Sequence, residues 1–424
     1  MFFPKEKREY KHFNKTLFYI LILLMIITGT TNTIFNKIIQ NLYGKGVKFQ
    51  QHHWFITFGM FSGELLSIFY YIFIVLRRKK EDIENKNRAE DDEQRNREEK
   101  IKKIQVPTNF IFSIPALCDL LGSTLNTFGL TYLASSIYQM LRGFELIFIC
   151  LLSKVILKNE IYRHHYLGAA ILIIGFSIVG VNSVLYEVKD EDEDIKKARE
   201  HFIGIILLFL AQFFHSIECI IQEKFIKKYI IHPSQFVGFE GLWGFIMYII
   251  LLIVFQNISC DGWSSELKKG ICFGKDRNKT YIEDSIFALE QMWANKSLLI
   301  LYIFFMVSVV FYNLIGIKLT ELVSSIHRVV VDEVRAFFIW LFFIIFNPVE
   351  GTHEEFHCLQ LIGYIFIVLG TIIYIEILAI PFCNLDYNTI DKREEREIKK
   401  AEEEEEGKNL FISISSSKSS QKSK

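Results

Sequence analysis

The sequence lacks the signatures of the common catalytic and nucleic-acid-binding proteins. It has no GxSxG nucleophile elbow and no P-loop, and its seven cysteines show no metal-ligand spacing. Lys and Arg number 48 and Asp and Glu number 48, so the formal net charge is zero, whereas a nucleic-acid partner requires a strongly basic face. We expect a protein that is not an enzyme and has no cofactor, no metal site and no nucleic-acid partner.

Long apolar runs are what the sequence has in abundance. Hydrophobic residues make up 51% and aromatic residues 15% of its 424 residues, which is more than one soluble domain needs. A helix that crosses a bilayer needs about 20 apolar residues. Runs of that length begin near Leu17, Phe55, Phe110, Ile137, Leu167, Phe202, Val237, Leu298, Val323 and Leu359. The pattern predicts an all-α, polytopic membrane protein of ten transmembrane helices embedded in a lipid bilayer.

Charged residues concentrate in connectors and in the tail, which gives the predicted organisation. The first apolar run has no cleavage site of small residues and is predicted to be retained as a span. Basic short loops mark the cytosolic side of a membrane. The predicted segments are a cytosolic N-terminus (1–15), a first five-helix repeat (16–186) with a cytosolic linker (77–106), a luminal acidic loop (187–200), a second five-helix repeat (201–380) with a luminal loop (257–296), and a disordered cytosolic tail (381–424).

The long loop between the seventh and eighth spans carries two luminal signals. It contains Cys260 and Cys272, and a glycosylation sequon begins at Asn278. A disulfide between the two cysteines suits an oxidising lumen. Two free luminal thiols are the alternative.

An internal duplication relates the two halves of the chain. Leu133-Ala-Ser-Ser-Ile137 resembles Leu322-Val-Ser-Ser-Ile326, and Gly168 and Gly175 correspond to Gly363 and Gly370. Five spans per half is an odd number, so the halves must enter the membrane in opposite orientations. The sequence therefore predicts inverted repeats, the architecture of many secondary transporters.

Ionisable residues within the fourth and ninth spans form two polar stripes. Such residues are costly in a bilayer unless they face a partner or water. One interpretation is that they line a solute cavity, where guanidinium groups bind an anionic or phosphorylated group. The other is that Arg142 with Glu145, and Asp332 with Arg335, are i, i+3 ion pairs of purely structural role. The predicted cavity residues are Gln139, Arg142, Glu145, Arg328, Asp332, Arg335 and Asn313.

Three further carboxyl groups lie in apolar spans. Glu64, Asp119 and Glu240 are candidates for proton coupling, because a low-dielectric site favours the protonated carboxyl group. The alternative is that they accept hydrogen bonds between helices. Gln222 and Glu223 end the sixth span and are expected at the cytosolic interface.

Several longer motifs match one family together. They are Gly59-Met-Phe-Ser-Gly-Glu64, Pro115-Ala-Leu-Cys-Asp-Leu-Leu-Gly-Ser123, Ala134-Ser-Ser-Ile-Tyr-Gln-Met-Leu-Arg-Gly143, Gln222-Glu-Lys-Phe225, Val237-Gly-Phe-Glu-Gly-Leu242 and Leu359-Gln-Leu-Ile-Gly363. The chain thereby resembles the F subfamily of the solute carrier 35 family, in its member 6 group. The resemblance implies a drug/metabolite transporter fold of the EamA-like kind, nucleotide-sugar transport among wider relatives, and a lysosomal, vacuolar or Golgi membrane.

Two functions from different classes follow from these observations. The first is a secondary transporter that moves a small organic solute by alternating access. The second is a membrane scaffold that keeps the fold without transport. Gly59 and Gly63 have the spacing of helix-packing motifs, which we interpret as packing within the chain, with a homodimer as the alternative.

Overall fold

The computed structural model describes the greater part of the chain. It covers residues 15–49, 52–86, 109–132, 141–187, 194–229, 231–262, 272–276, 279–346, 348–349, 356–378, 381–382, 385–389, 392–393, 395–396 and 399. The predicted residues Gln139 and Asn278 lie outside these ranges.

The described chain is almost entirely helical. Its α-helices are α1 (Lys15–Asn41), α2 (His53–Lys86), α3 (Ser113–Tyr132), α4 (Phe144–Leu152), α5 (Arg163–Glu187), α6 (Asp194–Lys228), α7 (Pro233–Asn257), α8 (Ser285–Ala294), α9 (Lys296–Leu322), α10 (Ser325–Ile345) and α11 (Cys358–Tyr374). A 3-10 turn, Asn109–Phe112, leads into α3, and a π-helical turn, Ser153–Leu157, ends α4.

Two short antiparallel hairpins depart from the all-α expectation. β1 (Tyr43–Gly44) pairs with β2 (Val47–Lys48), and β3 (Phe273–Asp276) pairs with β4 (Lys279–Tyr281). Both hairpins lie in connections between long helices.

Polar residues fix where several helices begin. The Asp284 side chain accepts a hydrogen bond from the amide of Phe287 at the start of α8, and Asn295 caps α9 in the same way. Ser324 caps α10 by accepting from the amide of His327. Such caps satisfy amides that have no partner within the helix. They allow α8, α9 and α10 to follow one another with short connections.

Seven described helical segments are long and apolar enough to cross a membrane. They are Lys15–Asn41, His53–Arg77, Asn109–Gly129, Arg163–Asn182, Phe202–Lys228, Pro233–Asn257 and Lys296–Leu322. On α2, Phe69 is 68% exposed whereas Glu64 is 4% exposed. Large apolar side chains on the surface and carboxyl groups inside are the arrangement expected of a protein surrounded by lipid. The chain is therefore a multi-pass membrane protein.

Several helices extend into segments that were predicted to be loops. α2 continues to Lys86, within the predicted linker 77–106, and α6 begins at Asp194, within the predicted loop 187–200. α8 lies inside the predicted loop 257–296. Glu, Lys and Arg are strong helix formers, so a charged segment can prolong a helix beyond the bilayer.

Helices pack in pairs that combine the two halves of the chain. α5 packs on α11, α2 on α7, α3 on α6, and α1 on α9. Glycines allow the close approach of α5 and α11. A Cβ atom on Gly168 would lie 2.9 Å from the carbonyl oxygen of Gly370, and one on Gly175 would lie 2.9 Å from that of Gly363.

The long loop, α8 and the first hairpin form one end of the bundle, which we call the disulfide end. Cys260 and Cys272 are joined by a disulfide there. The Gln291 side chain donates to the carbonyl oxygen of Gly44 at 2.9 Å, and Asn295 donates to that of Tyr43 at 2.8 Å. These contacts attach α8 to the hairpin that follows α1.

Candidate solute cavity

A polar cavity of about 740 Å³ lies between the helices. Side chains from α1, α2, α3, α6, α7, α9 and α10 line it, together with Arg142 and Glu145 at the start of α4. Its wall extends along α1 to Gln40 and Asn41, next to the disulfide end. Ligand sites for small molecules commonly have volumes of about 300–1,000 Å³. The cavity is therefore large enough for a small organic solute.

One group of lining residues centres on Asp332, and we call it the Asp332 cluster. Arg335 Nη2 lies 2.9 Å from Asp332 Oδ2, and Arg142 Nη2 lies 3.7 Å from the same oxygen. Tyr312 donates its hydroxyl to Asp332 Oδ1 at 2.6 Å, and the Arg335 guanidinium lies 5.3 Å from the Tyr312 ring centroid. The cluster thus joins α9, α10 and the start of α4 by charge and hydrogen bonds.

The Asp332 cluster combines the two interpretations of the polar stripes. Its arginines line the cavity, and the Asp332–Arg335 pair has the predicted i, i+3 spacing. Arg142, in contrast, contacts Asp332 on another helix, and the contacts described for it do not include an ion pair with Glu145. A turn at Gly143 separates Arg142 from the helix that contains Glu145. The two side chains therefore do not share a regular helical face.

A second group of lining residues centres on Gln222, and we call it the Gln222 network. Arg328 Nη1 donates to Gln222 Oε1 at 2.8 Å. Gln222 Nε2 donates in turn to Glu218 Oε1 at 2.8 Å and to Glu240 Oε1 at 3.0 Å. One amide thus connects an arginine on α10 with carboxyl groups on α6 and α7.

Asn313 makes a second connection of the same kind. Arg328 Nη2 lies 3.5 Å from Asn313 Oδ1, and Asn313 Nδ2 donates to Glu64 Oε1 at 2.6 Å. Arg328 is therefore linked through amides to three carboxyl groups, on α2, α6 and α7. The full network comprises Glu64, Glu218, Gln222, Glu240, Asn313 and Arg328.

The proton-coupling candidates all lie in this one cavity. Glu64 and Glu240 belong to the Gln222 network, and Asp119 accepts from Ser123 at 2.9 Å nearby. His215 Nδ1 lies 3.9 Å from Asp119 Oδ1 and 3.4 Å from Glu218 Oε2. The carboxyl groups that the sequence left apart are thus neighbours in space.

Glu218, His215 and Gln222 are site residues that sequence analysis missed. Gln222 and Glu223 were expected at the cytosolic interface, which stays a prediction, but their side chains are buried between helices rather than exposed. Only Lys224 of that stretch is exposed. α6 continues past Gln222 to Lys228, so these residues lie more than a turn from the helix end. The three-to-four-residue spacing of His215, Glu218 and Gln222 was the available signal.

Two groups of side chains in the described residues have the composition of metal ligands. Asp119, His215 and Glu218 place their ligand atoms within 4.8 Å of one another, as do His164, His165 and Glu376. In the second group, His165 Nδ1 accepts from the amide of Tyr162 at 3.1 Å. Its Nε2 atom then carries the proton in the neutral ring, which opposes metal binding at that nitrogen.

One HExxH match is also present and escaped the analysis of catalytic motifs. It runs from His353 to His357. The zinc site of this motif requires both histidines on one helix, one turn apart. His357 instead has an extended backbone, with φ −121° and ψ 125°, before the start of α11. The described part of the motif therefore lacks the conformation that the site needs.

Comparison with known proteins agrees with the membrane fold and with a transporter family. Residues 17–378 match the UAA transporter family. The solute carrier family 35 member F6 proteins of Rattus norvegicus and Homo sapiens are each 29% identical to the chain, over 83% of this chain and 86% of theirs. An uncharacterized protein of Schizosaccharomyces pombe is 23% identical, over 85% of this chain and 98% of its own. The resemblance to the F subfamily of the solute carrier 35 family is thereby confirmed, and the chain belongs to the UAA transporter family.

Proposed function

We propose that the protein is a secondary transporter that carries a small organic solute across an endomembrane by alternating access. The polar cavity of about 740 Å³ inside a bundle of lipid-facing helices is the observation that carries this proposal. Polar and ionisable groups in such a bundle are costly and usually mark a solute or ion pathway. Membership of a transporter family supports the same function.

The architecture that we propose has ten spans in two inverted repeats. α4 with its π-helical turn, α10 and α11 would add three spans to the seven apolar ones. α10 carries the four charged residues Arg328, Asp332, Glu333 and Arg335, and α4 itself has nine residues. In the repeat, Gly168 of the first half corresponds to Gly363 of the second, and Gly175 corresponds to Gly370. If each glycine is replaced by its counterpart in the other half, the contact of Gly168 with Gly370 becomes the contact of Gly363 with Gly175. Both contacts are observed.

The pairing of the helices shows the same symmetry. α5 corresponds to α11 and α2 to α7, so each of these pairs consists of a span and its counterpart in the other half. The pair of α3 with α6 is converted into the pair of α9 with α1, and both pairs are present. This two-fold relation supports inverted repeats that can move against each other.

The proposed orientation places the disulfide end in the lumen and both termini in the cytosol. Basic short loops lie at the other end, and a disulfide suits an oxidising compartment. A lysosomal, vacuolar or Golgi membrane would meet these requirements. The opposite end of the bundle, where Glu223 contacts the start of α10, would then be the closed cytosolic gate.

Transport is tested by uptake of radiolabelled nucleotide sugars, amino acids and organic cations into proteoliposomes that contain the purified protein. We expect saturable uptake of one class, and a loss of at least about tenfold in an Arg142→Gln, Arg335→Gln variant, since charged contacts contribute about 1.5–3 kcal/mol each. Lys318→Gln is the matched control, because Lys318 pairs with Glu321 at the exposed surface.

The scaffold function predicts a different result. The Asp332 cluster would then be a purely structural connection, and no solute of any class would be taken up under a pH gradient or in exchange. The folded state of each variant is checked by size-exclusion chromatography and thermal unfolding. Failure of uptake by folded wild-type protein would contradict the transport proposal.

A further inference from the structure

We infer that the cavity recognises its solute through a positively charged amino group held by the carboxyl groups of the Gln222 network and Glu145. This inference rests on the proposed transport function and names the substrate class. It differs from the expectation that paired arginines bind a phosphorylated anion.

The balance of charges in the cavity is the first step. Six carboxyl groups line it, against four Lys and Arg side chains. The carboxyl groups therefore outnumber the cationic side chains by two. Each carboxyl group that is ionised attracts cations and repels anions, and a bound cation in turn favours the ionised form, both effects being stronger in the low dielectric of the bundle.

The arginines that would bind an anion are engaged with protein groups. Arg142 and Arg335 both contact Asp332, at 3.7 Å and 2.9 Å. Arg328 directs its two Nη atoms to the side-chain oxygens of Gln222 and Asn313. An anionic solute would have to replace these contacts and leave Asp332 without its partners, which is costly at a buried site.

Two carboxyl groups, in contrast, have oxygen atoms that can accept further hydrogen bonds. Glu64 is 4% exposed, and its Oε2 atom is buried without a hydrogen-bond partner while Oε1 accepts from Asn313. Glu145 makes no ion pair in the described part of the chain, although it lines the cavity. A buried carboxylate that lacks a partner costs several kcal/mol and calls for a proton or a cation.

An ammonium group has the complementary chemistry. It carries three donors and no acceptor, whereas ionised carboxyl groups are acceptors only. Glu64, Glu218 and Glu240 surround the amides Gln222 and Asn313, so an ammonium could contact several carboxyl groups at once. A cavity of about 740 Å³ also has the size of an organic solute, which is far more than a single metal ion fills.

The test compares amines with matched anions on the purified protein. We would measure thermal stabilisation by tyramine, putrescine, agmatine and lysine methyl ester, and by 4-hydroxyphenylacetate, succinate and UDP-N-acetylglucosamine, at constant ionic strength. Labelled forms of the compounds that stabilise are then tested for uptake into proteoliposomes. Mn²⁺ is included to detect binding of a divalent ion at Asp119, His215 and Glu218.

Two isosteric variants locate the effect, and a third is the control. Glu64→Gln can keep the bond from Asn313 and removes only the charge, and Glu145→Gln removes a charge that has no ion pair. Glu321→Gln makes the same change at the exposed Lys318–Glu321 pair. We expect at least one amine to stabilise the wild type, with a Kd about tenfold higher in each cavity variant and unchanged in the control, as for a lost charge-assisted contact.

Each other outcome has a definite meaning. Stabilisation by the anions or by Mn²⁺ but by no amine, or amine binding that is unchanged in both cavity variants, would overturn the inference. Saturable uptake of an anion would overturn it while the transport proposal stands. Amine binding without uptake would support the inference and count against transport. The absence of binding by every probe would count against both.

Discussion

The two ends of the helix bundle are each held by one buried glutamate, and the two glutamates differ in their hydrogen bonding. At the disulfide end, Glu283 Oε1 lies 2.5 Å from His52 Nδ1, both side chains are fully buried, and Glu283 Oε2 has no partner. At the opposite end, Glu223 accepts from the amide and hydroxyl of Ser325 at 2.8 and 2.5 Å, from Asn159 at 3.0 Å, and from Lys227. Glu223 thus has four donor groups, whereas the described contact of Glu283 is with His52, at an end that the disulfide and the contacts of α8 with the first hairpin also hold.

This difference bears on how the two ends can open. Glu223 connects α6 with the first turn of α10 and with Asn159, just beyond the π-helical turn that ends α4, so it joins both halves of the chain. Its donors are an amide, a hydroxyl, a side-chain amide and an ammonium group, none of which changes charge near neutral pH. The pair of Glu283 with His52 joins two titratable groups. We therefore expect pH to act on the Glu283–His52 pair and not on the contacts of Glu223.

The largest effect is expected from Glu223→Ala. The change leaves the Ser325 amide without its acceptor and leaves the Asn159 side chain with only the Ser153 hydroxyl, and we expect a loss of about 2–4 kcal/mol in the free energy of unfolding. Thermal unfolding in detergent and SDS titration would measure it. Lys227→Ala removes a partly exposed partner of the same carboxyl group and should cost about 1 kcal/mol or less. Equal losses in the two variants would show that the Lys227 pair, and not the contacts to α10, holds this end.

A smaller effect is expected from the Cys260→Ser, Cys272→Ser double variant. The disulfide spans a sequence separation of 12, and the loss of such a loop closure costs about 2–3 kcal/mol. Thermal unfolding with and without reductant is the measurement. The melting temperature of the reduced wild type should match that of the double variant. The loss of stability caused by Glu223→Ala should be the same with and without reductant, because Glu223 and the disulfide lie at different ends of the bundle. A wild type that is insensitive to reductant would mean that other contacts, such as the bridge between Ser259 and Tyr281, hold the loop.

The fold was predictable from the sequence to the extent that burial in lipid determines it. Apolar runs located the apolar parts of most long helices, because each span must satisfy the same length and polarity, but they did not predict the charged extensions of α2 and α6. α8 was not predicted, since a ten-residue helix in a loop carries no such requirement. Helix pairing depends on where small residues meet, and the repeated glycines of α5 and α11 were the one sequence signal for it.

The residue types of the site were more predictable than their partners. Charges in apolar spans indicated Arg142, Asp332 and Arg335 as cavity residues, because burial makes them costly. Asp332 and Arg335 form the predicted i, i+3 pair within α10, whereas Arg142 contacts Asp332 from outside that helix. Gln222 was not predicted, because a neutral amide in an apolar span is less costly than a charge and does not by itself indicate a site. Its hydrogen bonds depend on how α6, α7 and α10 are placed relative to one another. Sequence reasoning also overvalued the arginines, since the excess of carboxyl groups appears only when the cavity wall is assembled.

The smallest expected effect is a pH dependence confined to the disulfide end. Burial raises the pKa of Glu283 above its ordinary value, and the hydrogen bond from His52 opposes this shift only in part. A carboxyl group whose pKa is raised in the folded state contributes stability that is complete below its unfolded pKa of about 4.5 and is lost as the pH rises through the folded pKa. We therefore expect the melting temperature of the wild type, relative to Glu283→Gln, to increase on acidification from pH 7 towards pH 5.

Glu290→Gln is the matched control for this pH dependence, because Glu290 pairs with Lys45 at the exposed surface of the same end. Its melting temperature should follow that of the wild type across the pH range. Glu223→Ala should show a constant offset, since its partners keep their charge. An offset of Glu283→Gln that stays constant with pH would remove the proposed difference between the two ends. A decrease on acidification would reverse its sign, because protonation of Glu283 would then weaken its attachment to His52 more than it relieves the cost of a buried charge.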